Sequence, residues 1–98
     1  MEIKIVEKQY VEKIVNVDFP YYYKIEDSNS DTHVTYYGKV NQHSSVVICV
    51  TDYYNGKLEY EISINKHRID SYYDEQYRSS KEEFDNVIST ALEIINSI

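Results

Sequence analysis

Few side chains in this sequence are spaced to do covalent chemistry. His33, His43 and His67 stand 10 and 24 residues apart, and no Cys, Asp or Glu joins them at the spacing of a tetrahedral zinc site, so no metal site is expected. The stretch Asp27-Ser28-Asn29-Ser30-Asp31 copies the first five positions of an EF-hand loop. Thr32 then stands where the sharp turn requires glycine, and Gly38 where a bidentate glutamate is required, which leaves an ordinary Asx-rich turn. Cys49, the one cysteine, lies in the apolar run Val46-Val47-Ile48-Cys49-Val50 and reads as a small buried hydrophobe. No serine occupies a nucleophile-elbow context, and Gly38 and Gly56, the two glycines of the chain, cannot build a phosphate-cradling loop. Neither catalysis nor a cofactor is expected.

What remains is recognition chemistry. Twelve of the 98 residues are tyrosines, nine of them in the runs Tyr21-Tyr22-Tyr23, Tyr36-Tyr37, Tyr53-Tyr54 and Tyr72-Tyr73. Neighbouring strand residues point to opposite faces, so each doublet is expected to send one ring inward and one toward water, leaving a row of phenols suited to protein contact. The formal net charge is -7, and residues 69–98 carry seven acids against two cations. Acids and rings interleave in Asp70, Tyr72, Tyr73, Asp74, Glu75 and Tyr77, and the acids continue in Glu82, Glu83 and Asp85. These nine residues form the expected partner-binding site, with the sheet face carrying Tyr22, Tyr37 and Tyr53 as its alternative location. A net-negative chain repels phosphate backbones, so direct nucleic-acid binding is disfavoured despite the rings.

The elements that must position these groups read as α+β: an antiparallel sheet of about four to five strands, a meander, packed against one C-terminal amphipathic helix, in a single domain spanning 1–98. Leu58, Tyr60, Ile62 and Ile64 alternate with Lys57, Glu59, Glu61 and Ser63, the pattern of a strand with one buried face. Asn55-Gly56 predicts a two-residue type I′ turn, pairing 45–53 with 57–65. Val46–Val50, apolar on both faces, fits a central strand. Val34, Tyr36 and Val40 mark the strand before it, with Asn41–Ser44 as the turn between. Val15 to Ile25 also keeps period two, and Pro20 within it predicts an edge or a bulge. Glu26–Asp31 reads as a loop. Residues 2–12 fit a helix by Ile3, Val6, Tyr10 and Ile14 and a strand by Ile3/Ile5 alternation; the strand is favoured. Ser80 and Glu83 predict a capping box opening a helix whose apolar arc is Phe84, Val87, Ile88, Ala91, Leu92, Ile95 and Ile98.

The charged residues interrupting Met1–Lys8 argue against a signal peptide or membrane span, and a cytoplasmic location is expected. In size, acidity, low-GC residue usage and sheet-plus-helix layout, the chain resembles the small anti-CRISPR and other anti-defence proteins of phages of low-GC bacteria. The residues carrying that likeness are Asp70–Tyr77 and the helix opening Lys81-Glu82-Glu83-Phe84-Asp85. The resemblance, one of type without a diagnostic motif, implies a non-enzymatic inhibitor in the bacterial host cell. Its acidic surface would mimic nucleic acid and block the basic DNA- or RNA-binding groove of a host defence protein, such as a CRISPR effector nuclease. The alternative expectation is a small homo-oligomeric structural or accessory module, in which the tyrosine face or the proline-containing edge pairs with a second copy.

Overall fold

The computed structural model describes residues 1–6, 12–68 and 72–98. It is an α+β fold in which the described residues form six strands, a single 3₁₀ turn and one helix, in the order β1 (Glu2–Val6), β2 (Glu12–Asn16), β3 (Tyr21–Ser28), β4 (His33–Val40), β5 (Ser45–Asp52), β6 (Leu58–Asn65), the 3₁₀ turn Glu75–Tyr77 and α1 (Lys81–Asn96). Strands β3-β4-β5-β6 form the antiparallel meander, and β1-β2 pair as a separate antiparallel hairpin.

Local chemistry explains the turns. Asn29 accepts the backbone N–H groups of Asp31 and Thr32 on its Oδ1, each at 2.8 Å, while its own N–H donates to Thr32 O. The EF-like stretch is thus a tight Asx turn between β3 and β4, and β3 runs to Ser28 through half of the expected loop. Asn41 N–H closes the next turn on Ser44 O at 2.8 Å. The β5–β6 pairing has the expected register, Ser45 opposite Asn65 through Asp52 opposite Leu58. Its connection differs: the Tyr53 N–H bonds Lys57 O, and positive φ falls on Tyr54 (60°) and Gly56 (85°), giving a three-residue loop instead of a type I′ turn. Side chains decide this, because Asp52 Oδ1 accepts from Tyr54 N–H and Asn55 Oδ1 from Lys57 N–H. Pro20, preceded by a cis peptide bond, lies between β2 and β3, so the single strand expected over 15–25 is two strands in different sheets.

The register sorts the meander into two faces. One carries Tyr22, Tyr37, Val46, Ile48, Val50, Tyr60 and Ile62 toward α1, where Phe84 packs with its ring centroid 5.7 Å from that of Tyr22. The helix starts at Ser80, whose Oγ accepts from Glu83 N–H at 3.1 Å. Ile48 is fully buried, and Ala91 lies at 1% exposure on the helix's inner face. The expected arc is buried only in its first half. Leu92, Ile95 and Ile98 are 46%, 54% and 100% exposed, because the helix outruns the sheet surface that its first turns cover.

The other face builds a second core from tyrosine. Tyr23 is buried with Ile3, Val17, Val40 and Tyr73, and Phe19, Tyr21, Ile25, Val47, Tyr72 and Tyr77 pack around them. Tyr23 pairs across β3–β4 with Gly38, and a Cβ at Gly38 would lie 2.1 Å from the Tyr23 ring. Only glycine lets this ring lie over the neighbouring strand. Gly38→Ala is therefore expected to lower unfolding free energy by about 1–3 kcal/mol, the usual cost of overpacking, in urea denaturation. The companion Phe84→Ala is expected to cost about 3–5 kcal/mol by opening a cavity under α1.

Candidate protein-binding surface

The nine residues expected to contact a partner divide sharply in the fold. Asp70 lies outside the described residues. Tyr73 is 4% exposed and edge-on to Tyr21, with ring centroids 5.2 Å apart, which makes it core and not contact surface. Tyr72 and Tyr77 are half-buried, Tyr72 sitting 5.0 Å from the Tyr23 ring and 5.6 Å from Tyr77. The doublet rule fails here because residues 72–77 are not a strand: the segment folds over β3 and lays both rings on the second core. Its failure at Tyr22-Tyr23 has another cause, since the sheet is covered on both faces there and both rings are buried. The alternative face is dissolved in the same way. Tyr22 and Tyr37 face α1, whereas Tyr53 faces the opposite side, its hydroxyl donating to Glu59 Oε2 at 2.7 Å.

The carboxylates, by contrast, gather along one flank. Arg78 forms an isolated bridge with Tyr23, and the Ser79 N–H donates to Tyr22 O at 2.9 Å, so the chain before α1 runs beside β3, the edge strand of the meander. Asp74 caps the 3₁₀ turn through its Oδ1, and its carbonyl accepts the Tyr21 hydroxyl, which pins this turn to the first residue of β3. Glu75 is exposed, with Arg78 3.5 Å away. Glu82 is exposed on the first helical turn. Glu83 turns inward and bonds Lys24 Nζ of β3 at 2.8 Å, while its Oε2 accepts from Ser79 Oγ at 3.0 Å. This replaces the second half of the expected capping box. Asp85 pairs with Lys81 one turn on.

Lys24 is the hub of this flank. It also meets Glu26 at 3.3 Å and stands 5.6 Å from the ring centroid of Tyr37. The hydrogen bond that Lys24 donates to Glu83 is the main cause that raises the Lys24 pKa above its usual 10.5, and the same bond holds Glu83 below its usual 4.5. Both shifts favour the charged pair.

Sequence reasoning missed the concave part of the flank. Tyr23, Ile25, Glu26, Asp27, Tyr36 and Tyr72 line a cup of about 410 Å³ on the second face, beside the tyrosine core. Tyr36 is 38% exposed, and Asp27 is exposed at the end of β3. The available signal was the alternation in β4, which sends Tyr36 away from α1, together with the extension of β3 through Asp27. Counting Glu26, Asp27, Asp74, Glu75, Glu82, Glu83 and Asp85 against Lys24, Arg78 and Lys81, the flank carries seven acids and three cations, a net of -4. Among the described residues, no group of His, Cys, Asp and Glu is arranged to hold a metal ion, and no helix is long and apolar enough to cross a membrane.

Comparisons with protein-family models, characterised proteins and solved structures find no match.

Two measurements test this geometry. Because Glu83 is held below 4.5, the stability from its pair with Lys24 is present above that pH and disappears as pH falls through the folded-state value. Glu83→Gln should therefore lose about 0.2–1 kcal/mol at neutral pH, a figure that allows for the pair's partial exposure, and show a flatter acid limb in urea titrations. Tyr22 Oη, buried without a hydrogen-bond partner among the described residues, predicts the opposite sign for Tyr22→Phe. Removing an unsatisfied hydroxyl should leave stability unchanged or raise it by up to about 1 kcal/mol in the same assay.

Proposed function

We propose that the chain is a non-enzymatic protein-binding inhibitor that occupies a basic, nucleic-acid-binding surface of another protein through its β3 flank. The observation that carries this reading is the coincidence of an aromatic-acidic cup with a net-negative flank. Tyr36 and Tyr72 offer rings beside Asp27, a combination suited to a guanidinium or ammonium group. Asp74, Glu75 and Glu82 extend the negative surface past that cup, where a protein built to bind phosphates would present further arginines and lysines. Packing on two cores fixes the backbone that carries these carboxylates, so no change of fold is needed for binding. Competition with nucleic acid follows, since the flank and a phosphate backbone seek the same cations. A host defence nuclease is one partner of this chemistry.

The test is capture of binding proteins from a bacterial lysate at low and high salt, with added duplex DNA or RNA as competitor. Basic nucleic-acid-binding proteins are expected at low salt and should be displaced by the competing nucleic acid. Asp27→Lys, Glu75→Lys and Glu82→Lys together should abolish capture while leaving the melting temperature within a few degrees, because exposed charges contribute about 0.5 kcal/mol or less. Changes of the same kind at Glu59 and Glu61, on the far edge of the sheet, should have little effect. If no such protein is recovered at low salt, or if the triple variant recovers the same set, the reading is wrong.

A further inference from the structure

The two edges of the meander are treated differently by the sequence. The β3 edge begins after Pro20, carries Lys24 and is covered in part by Arg78 and Ser79. Strand β6 is the other edge, and among the described residues no strand lies beyond it in the sheet. Proteins blunt free edges with charged side chains, lysine above all, or with proline or a bulge; Leu58–Asn65 contains no lysine or proline, pairs with β5 without a bulge, and carries its charge as Glu59 and Glu61 on the face away from α1. Its backbone is poised to accept another strand. The Tyr53 N–H bond to Lys57 O marks these two residues as a hydrogen-bonded pair, and alternation then directs the groups of Glu59, Glu61 and Ser63 toward β5. The N–H and C=O groups of Tyr60, Ile62 and Ile64 point outward. Beside this edge the apolar surface is unusually open: Leu58 is 53% and Ile64 76% exposed. Ile94, Ile95 and Ile98 of the helix end join Leu58, Tyr60 and Ile62 around a groove of about 610 Å³.

We infer that β6 pairs antiparallel with β6 of a second copy, about a two-fold axis at Ile62, to give a continuous eight-stranded sheet. Charge selects both the occupant and the register. With Ile62 opposite itself, Tyr60 meets Ile64, Glu61 meets Ser63 and Glu59 meets Asn65, so both carboxylates face neutral polar residues and the apolar side chains of residues 60–64 face one another, while Leu58 falls opposite Lys66 just beyond the strand. Sliding one way, so that residue 61 lies on the axis, sets Glu61 against Glu61. A further step sets Glu59 against Glu61, and like charges directly opposite are destabilising. Sliding the other way avoids the clash but sets Tyr60 against Lys66 and shortens the paired segment. The same residues that make a poor solvent edge therefore make a self-complementary one. The helix ends, with their uncovered isoleucines, lie on the side of the sheet where the seam forms.

Sedimentation equilibrium of the full chain from low to high micromolar concentration tests the inference. A reversible dimer that persists at high salt is expected. Ile64→Lys, at a position too exposed to support the monomer fold, should shift it to monomer with unchanged melting. The register is read by a charge pair: Ser63→Glu should weaken the dimer and Ser63→Lys tighten it, each by roughly 2- to 30-fold because the contact with Glu61 occurs twice. A strict monomer at high micromolar concentration overturns the inference, as does a dimer indifferent to Ile64→Lys. Equal effects of the two Ser63 variants overturn the register. The β3-flank lysine variant should leave the dimer intact and Ile64→Lys should leave nucleic-acid-sensitive capture intact, so failure of one reading is distinguishable from failure of the other.

Discussion

The placement of one phenol ring over one glycine organises the molecule. Tyr23 and Gly38 face each other across β3 and β4, and the missing side chain at Gly38 is the space the ring fills. With the ring lying there, the second face of the meander becomes an apolar floor on which Ile3, Val17, Val40 and Tyr73 close a core. Burial pushes the Tyr23 pKa up to about 12, as expected for a phenol whose charged form has lost its water. That floor is what draws residues 72–79 back to β3. There, Tyr72 stacks on Tyr23 and Ser79 bonds to Tyr22, and the helix can begin only at the next residue.

From that starting point the polarity of the molecule follows. The helix opens at the β3 flank, so the acids that suit its positive end are delivered to the edge where Glu26 and Asp27 already stand. Glu83 is drawn inward to Lys24, and the remaining carboxylates keep their faces to solvent. Sixteen residues later the helix has crossed beyond its support, leaving isoleucines uncovered beside β6. One edge of the sheet is therefore acidic and partly closed, the other apolar and open. The readings proposed for the two edges draw on different physics, screened electrostatics on one side and backbone pairing with apolar burial on the other.

The fold class was legible because its signals are local. The alternation in Leu58–Ile64, the apolar run Val46–Val50 and the Ser80 cap each specify an element from within a few residues, and each element lies where that pattern puts it. What escaped was whatever depends on distant partners. Nothing near Pro20 says that the strands on either side join different sheets, and nothing near Gly38 says that a ring fifteen residues earlier needs its Cβ removed. The nine-residue site was read as one exposed strip because acids and tyrosines alternate along it. In space the two residue types separate, as apolar rings and charged groups must when a segment lies against a core, and the tyrosines pass inside while most acids stay out. Asp27 and Tyr36 joined the flank only through pairing of β3 with β4.

The bond between Ser79 and Tyr22 also bears on how the chain folds. Strands β3 to β6 are joined by short turns and can zip up from neighbour to neighbour, but closing the tyrosine core requires residues on either side of the whole meander to meet, and such long-range closure is slow. A meander formed ahead of that closure would have both edges bare. The segment 72–79 is thus what closes the β3 flank from within the protein's own sequence, in the place where a neighbouring chain could otherwise pair.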